Sequence, residues 1–257
     1  MRYFAELAYK GTNYKGWQRQ PNAISVQQTI ESAFSTILRM PLSIMGCGRT
    51  DAGVHASQFF IHFDLPSEIV DAQKDFPKAL LKRMNKYLPP DIAIRRIFEV
   101  AANAHVRFDA THRAYEYHLI FDKNPFLTEG AFCYPFGHRL DFEKMQEVAH
   151  LLLEYDSFFP FCKTKSDAKT MLCDLSRSEW VWKKEGEYLV FHISANRFLR
   201  GMVRLIVGMC LNVGIGKVTL EELKLAMDNQ EWLKISYSVP PNGLFLVEVG
   251  YGSMSLT

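Results

Sequence analysis

The sequence predicts an α+β fold built as two similar halves, and three observations carry that reading. Runs of strand length, alternating or aromatic-rich, recur along the chain. Between them lie apolar stripes of helical period with recognisable start and stop residues. The order strand, helix, strand, strand, helix, strand occupies the first part of the chain and then returns in the second.

Arg2 to Tyr9 alternates and reads as a strand. The loop that follows, Gly11 to Pro21, interleaves aromatics, amides and cations, a composition suited to stacking on bases and holding phosphates. Lys15, Trp17 and Arg19 are its candidate RNA contacts; a loop tucked under an exposed Trp is the alternative. Ser25-Val26-Gln27-Gln28 begins a helix in capping-box fashion, and Val26, Ile30, Ala33, Phe34, Ile37 and Leu38 share one face until Pro41. Leu42 to Met45 and Gln58 to Phe63 read as short strands. Asp75 to Leu88 is a helix with Phe76, Leu80, Met84 and Leu88 in register, stopped by Pro89-Pro90, and Asp91 to Val100 is a strand.

The connector Asn103 to Ala110 lacks Pro, Gly and Ser, which makes it a rigid junction. Beyond it, Thr111 to Asp122 is a strand with Tyr115, Tyr117, Leu119 and Phe121 on one face. Asp141 to Tyr155 is an amphipathic helix, Leu175 to Trp182 and Tyr188 to Ala195 a strand pair, Phe198 to Val213 a helix. Thr219 caps a further helix, and Leu244 to Tyr251 closes as a strand. The whole is two ferredoxin-like, RNA-recognition-like halves with mainly antiparallel sheets forming a central cleft. The boundary falls at 104/105: residues 1–104 form an N-terminal α+β domain and residues 105–257 a C-terminal one.

At 257 residues and 48% hydrophobic, the chain has core material for one large domain or two ordinary ones. No run has the character of a signal peptide or a membrane span, so a cytoplasmic protein without membrane association is expected. Five cysteines form no Cys-x-x-Cys pair and the eight histidines show no ligand spacing, so neither metal nor disulfide framework is expected. No phosphate-binding glycine fingerprint follows a strand, so no nucleotide cofactor is expected either. A net charge of +2 excludes a globally basic nucleic-acid binder but permits a local basic surface.

Two stretches carry chemistry. Gly46-Cys47-Gly48-Arg49-Thr50-Asp51-Ala52-Gly53-Val54-His55-Ala56 sets one cation and one carboxylate among three glycines, between two strands, so that a carboxylate there can be aimed. A structural acceptor in a turn is the plain alternative for Asp51, and His55 reads as support for the loop. The helix from Phe198 onward is apolar nearly all round yet holds Arg200 and Arg204 four apart, with Arg197 one turn earlier. A guanidinium in such a setting needs a partner. Arg204 is expected to pair with Asp51; capping backbone carbonyls or binding phosphate is the alternative.

Gly48-Arg49-Thr50-Asp51-Ala52-Gly53-Val54-His55 resembles the signature of the tRNA pseudouridine synthase A family. Further landmarks are similar and in the same order: Tyr14 to Gln20 followed by Ser25-Val26-Gln27, Arg107 to Thr111 leading to Tyr115 and Tyr117, Asp156-Ser157-Phe158, and Met202 to Gly208. The resemblance implies an enzyme that isomerises uridine to pseudouridine at positions 38 to 40 of the tRNA anticodon arm, without cofactor, as a homodimer. It implies Asp51 as catalytic carboxylate, Tyr115 packed on the target base, and Arg49 holding the nucleotide out of its stack. Where the family often has Asn-Ala-Phe, this chain has Asn196-Arg197-Phe198-Leu199-Arg200-Gly201, and Arg197 and Arg200 extend a phosphate track. Lys163, Lys165, Lys169 and Arg177 are further candidate backbone contacts. Two competitors remain: a non-catalytic RNA-binding protein using the same surface, and a nucleoside hydrolase, which would usually want two carboxylates about the bond.

Overall fold

The computed structural model of the chain describes residues 1–72, 75–163 and 169–252. They form two compact units, the first comprising Met1–Thr111 with the segment from Leu246 onward, the second His112–Phe245.

In the first unit the chain runs β1 (Arg2–Tyr9), α1 (Val26–Leu38), β2 (Met45–Gly46), β3 (His55–Asp64), α2 (Ser67–Asp71), α3 (Phe76–Tyr87) and β4 (Ile92–Val100). β1 lies antiparallel between β3 and β4, with Phe4 opposite His62 on one side and Phe98 on the other. β2 is antiparallel to β3. Ser25 caps α1 by accepting the Gln28 N–H at 3.2 Å, and Val26, Ile30, Ala33 and Phe34 are buried. The Phe34 ring meets Phe63 at 4.8 Å while Tyr3 lies between Phe63 and Phe76, so α1 and α3 share the face of the sheet that those strands present. Burying rings of this size is the largest apolar contribution the unit can make. α1 stops at Leu38 because Arg39 turns left-handed at φ 56, two residues before Pro41.

The second unit holds β5 (His112–Ile120), β6 (Phe132–Cys133), α4 (Phe142–Leu151), β7 (Leu175–Lys184), β8 (Tyr188–Ala195), α5 (Met202–Gly214) and α6 (Leu220–Asn229). β8 is central and antiparallel to both β5 and β7, and β6 adds to β5 in parallel. Trp180 and Phe191 meet at 4.9 Å in the core that α4 and α5 cover. The Thr219 cap of α6 is a full capping box, with Thr219 Oγ1 accepting from the Glu222 N–H and the Glu222 carboxylate accepting from the Thr219 N–H. The last strand, β9 (Leu244–Gly250), borders β3, and Tyr251 beyond it packs on Phe4 and Phe60.

Three sequence expectations shift. The strand expected from Leu42 is only Met45–Gly46, because Ile44 N–H is taken by the buried Glu31 carboxylate at 3.2 Å rather than by a strand. The helix expected from Phe198 starts at Met202: Gly201, at φ 74, breaks the backbone just before it. Arg197 and Arg200 therefore sit in the preceding turn and share no helical stripe with Arg204. The helix expected to Tyr155 ends at Leu151 and tightens into a 3-10 turn over Leu152–Glu154.

Candidate functional site

The Asp51 loop joins β2 to β3 and is held by backbone on both sides. Val54 N–H closes a turn on the Asp51 carbonyl at 3.2 Å, with Gly53 at φ 78 in the third position, where such a turn needs a positive φ. The Gly11–Pro21 loop lies against it: Trp17 N–H donates to the Thr50 carbonyl at 3.1 Å and Gly53 N–H to the Tyr14 carbonyl at 3.3 Å. Gly16 has φ 92 and makes this approach possible, since a Cβ there would stand 2.6 Å from the Thr50 carbonyl oxygen. Tyr9 adds a phenol contact to Thr50 Oγ1 at 2.8 Å. Two loops far apart in sequence thus form one body, and Asp51 on it is half-buried.

Beneath that body is a sealed floor. Trp17 is 3% exposed, its ring 4.1 Å from Phe59 and 6.1 Å from Tyr9, with Gly46 against the indole nitrogen edge. Its ring is enclosed by protein, and its work there is packing. His55, 1% exposed, accepts the Gly11 N–H at Nδ1 over 3.1 Å, which puts its ring proton on Nε2 and makes it the loop support that its position in the motif suggested. Tyr14, whose phenol burial and Asp91 push well above the ordinary tyrosine range, donates to Asp91 at 2.7 Å. Lys15, Arg19 and Arg49 stay exposed on the same two loops, Arg19 reaching the buried Glu31 at 3.5 Å. Glu31 also receives Gln27 Nε2 at 3.1 Å, so one buried carboxylate ties α1 both to Ile44, just before β2, and to the loop.

In the second unit, Tyr115 on β5 is half-buried with its ring edge-on to Phe198 at 5.1 Å. Arg113 donates to the Asn196 carbonyl at 2.8 Å, and Asn196 exchanges hydrogen bonds with Asp174, which pins the turn bearing Arg197 and Arg200. Arg200 is exposed; Arg197 is half-buried near the Cys173 thiol, whose pKa burial pushes up to about 11 against the opposing pull of that cation. Arg204 is the one residue of α5 that is not buried. Its Nε donates to the Val239 carbonyl at 2.7 Å, one of the roles open to it from sequence. Tyr117 and Tyr237 lie near enough to feel its charge: burial raises both phenols and the guanidinium opposes the rise.

Of the remaining cations, Arg177 pairs with Glu179 at 2.7 Å and Lys169 is exposed. The Lys163 stem lies on Gly201, and Lys165 lies outside the described residues. Sequence reasoning had Tyr117 as a strand aromatic but missed its donor role and the Tyr237–Pro240 segment; the only local signal was Pro240-Pro241. Among the described residues no group of three or more His, Cys, Asp or Glu is arranged to hold a metal ion, and no helix is long and apolar enough to cross a membrane.

Comparison with known proteins identifies the family. The family model described as tRNA pseudouridine synthase matches residues 154–252. The tRNA pseudouridine synthase A of Bacteroides thetaiotaomicron is 46% identical over 252 residues, covering 97% of this chain and 90% of its own. That of Porphyromonas gingivalis is 44% identical with 98% of both chains covered, and that of Pseudoalteromonas translucida 38% identical over 98% of this chain and 92% of its own.

Proposed function

Since the chain belongs to the tRNA pseudouridine synthase A family, we propose a division of labour among its residues in turning uridine into pseudouridine within tRNA. The reaction breaks the bond between ribose C1′ and uracil N1, turns the base and joins C1′ to C5; C5 then gives up its proton and N1 takes one up. Atoms and electrons balance within the nucleotide, so the enzyme's task is to hold, polarise and move one proton. Asp51 is the catalytic carboxylate, acting on the sugar during scission. Tyr115 packs on the target base, and Arg49 and Arg204 bind the substrate. Lys15, Arg19, Arg197 and Arg200 track the RNA backbone, where each neutralised phosphate adds salt-sensitive affinity, and Trp17 supports the loop from below.

The observation that carries this reading is the double-loop body around Asp51. A carboxylate on a bend fixed by backbone hydrogen bonds at 3.1, 3.2 and 3.3 Å keeps its aim while a flipped nucleotide enters. The target is the anticodon arm at positions 38 to 40, and the working form is a cytoplasmic homodimer. The finer architecture, two ferredoxin-like halves, is part of the same proposal. It is supported in the first unit by the order β4-β1-β3 with β2 outside β3.

Tritium release from tRNA labelled at uridine C5 tests the chemistry. Wild type releases tritium and Asp51→Asn does not, while both bind tRNA and unfold at the same urea concentration. An Asp51→Asn enzyme with undiminished release removes Asp51 from its role, and tRNA binding by wild type with no pseudouridine formed would leave a binding protein instead.

A further inference from the structure

We propose that Tyr117 is a positioning residue for Arg204, acting through the backbone segment Tyr237–Pro240. The proposal rests on the assignment of Arg204 to the substrate site. It starts from the contrast within α5, where twelve buried residues surround a single half-exposed arginine. A long side chain with that much rotamer freedom costs entropy to order, so an arginine held for recognition needs something to fix its plane.

That something is a strap. Arg204 Nε donates to the Val239 carbonyl at 2.7 Å, and Val239 N–H returns to the Arg204 carbonyl at 3.3 Å. This reciprocal pair ties side chain and main chain of one residue to the same point on the strap. Because a guanidinium is planar, an oriented Nε sets the direction of its remaining donors as well. One helical turn further on, Gly208 has no Cβ, and the Tyr237 carbonyl occupies the place where one would be. The strap therefore cannot slide along α5.

The next residue, Pro240, has no N–H, and its carbonyl accepts the Tyr117 hydroxyl at 2.7 Å. Tyr117 is fully buried on β5, opposite Phe191 of β8, and Gly243 closes over its ring. A phenylalanine would fill the same volume, so the hydroxyl's specific contribution is the hold on the strap. The route is continuous: strand β5 to Tyr117, to the Pro240 carbonyl, to the adjoining Val239 carbonyl, to the guanidinium. Every link lies within the second unit.

Tyr117→Phe removes one oxygen from this route, and the full-length enzyme with its tRNA substrate is the system to measure. Expected is a fall in kcat of about fivefold, the weight of one buried hydrogen bond, with KM for tRNA unchanged. In an Arg204→Lys background the same change has no further effect, because the group it orients is gone. The Nε–Hε resonance of Arg204, assigned by its loss in Arg204→Lys, shifts in Tyr117→Phe. A wild-type kcat in Tyr117→Phe, an equal fold-loss in both backgrounds, or an unmoved resonance overturns the proposal; where Arg204→Lys retains no measurable rate, the resonance decides alone. The underlying assignment fails separately, if Arg204→Lys and Arg204→Ala both turn over at the wild-type rate.

Discussion

Gly16→Ala probes the contact between the two loops, and the structure supplies its own control. At Gly16 the backbone has φ 92, and an added Cβ would lie 2.6 Å from the Thr50 carbonyl oxygen and 3.3 Å from Ala52 N. A left-handed conformation costs a residue with a Cβ about 1–2 kcal/mol. Relief of a clash against backbone, which cannot rotate away, costs about 1–2 kcal/mol more. Gly186, in the exposed bend between β7 and β8, has φ 71 and nothing within 4 Å of its would-be Cβ. Gly186→Ala therefore carries the conformational cost alone. Urea unfolding monitored by tryptophan fluorescence should show Gly16→Ala destabilised by about 2–4 kcal/mol and Gly186→Ala by about 1–2 kcal/mol. Where both variants remain folded, tritium release by Gly16→Ala should fall by more than tenfold, on the order of the loss expected when a reacting group shifts by about 1 Å, and Gly186→Ala should keep the wild-type rate. Equal destabilisation would refute the clash, and full activity in Gly16→Ala would refute the link between the loop contact and the aim of Asp51.

Two further outcomes follow from local features of the fold. His62 is pushed down to about 4 from 6.5, first by burial and then by Arg2 and His105, and its Nδ1 accepts the Val106 N–H at 3.1 Å. The unfolded chain binds the proton more readily between those two values, so stability is whole above pH 6.5 and falls as the pH drops toward 4, by roughly 2–3 kcal/mol. Urea midpoints at pH 7 and pH 4.5 measure the loss, and a profile equally steep in His62→Asn would clear this histidine of it. Thr219→Ala dissolves the capping box of α6 and should lower stability by about 1 kcal/mol with no change in tritium release; unchanged urea curves would show that the cap contributes nothing.

What the sequence made legible had a local signal. Arg2–Tyr9, Val26–Leu38 and Tyr188–Ala195 stand where alternation, capping and helical period put them, because each pattern is complete within its own segment. The start of α5 was misread because the apolar run Phe198 to Val213 is continuous; only Gly201, a residue without hydrophobic weight, marks the break. Composition brought Lys15, Trp17 and Arg19 forward together, yet their surroundings differ: a cation on that loop stays in water, while the indole finds Phe59, a partner that no local pattern announces. The Asp51 motif was visible as a string, but the loop that holds it was not, since the Trp17 and Tyr14 hydrogen bonds join segments with no shared periodicity. Tyr117 was legible as a core aromatic on a strand and not as a donor, because its acceptor is a main-chain oxygen of a segment lacking any helical or strand pattern.

The return of β9 to the side of β3 has a bearing on how the enzyme is made. Val249 N–H meets the Gln58 side chain across 191 residues of sequence, and the Tyr251 hydroxyl donates to the Val106 carbonyl at 2.7 Å. On the ribosome, the part of the molecule that carries Asp51 waits with β3 paired to β1 on one flank but, beyond the two residues that β2 covers, open on the other while the whole second unit is translated. An uncovered strand flank invites pairing with neighbouring chains, so slow elongation through the second unit should be the period of greatest vulnerability to aggregation, and the moment β9 arrives the point at which the nascent enzyme becomes safe.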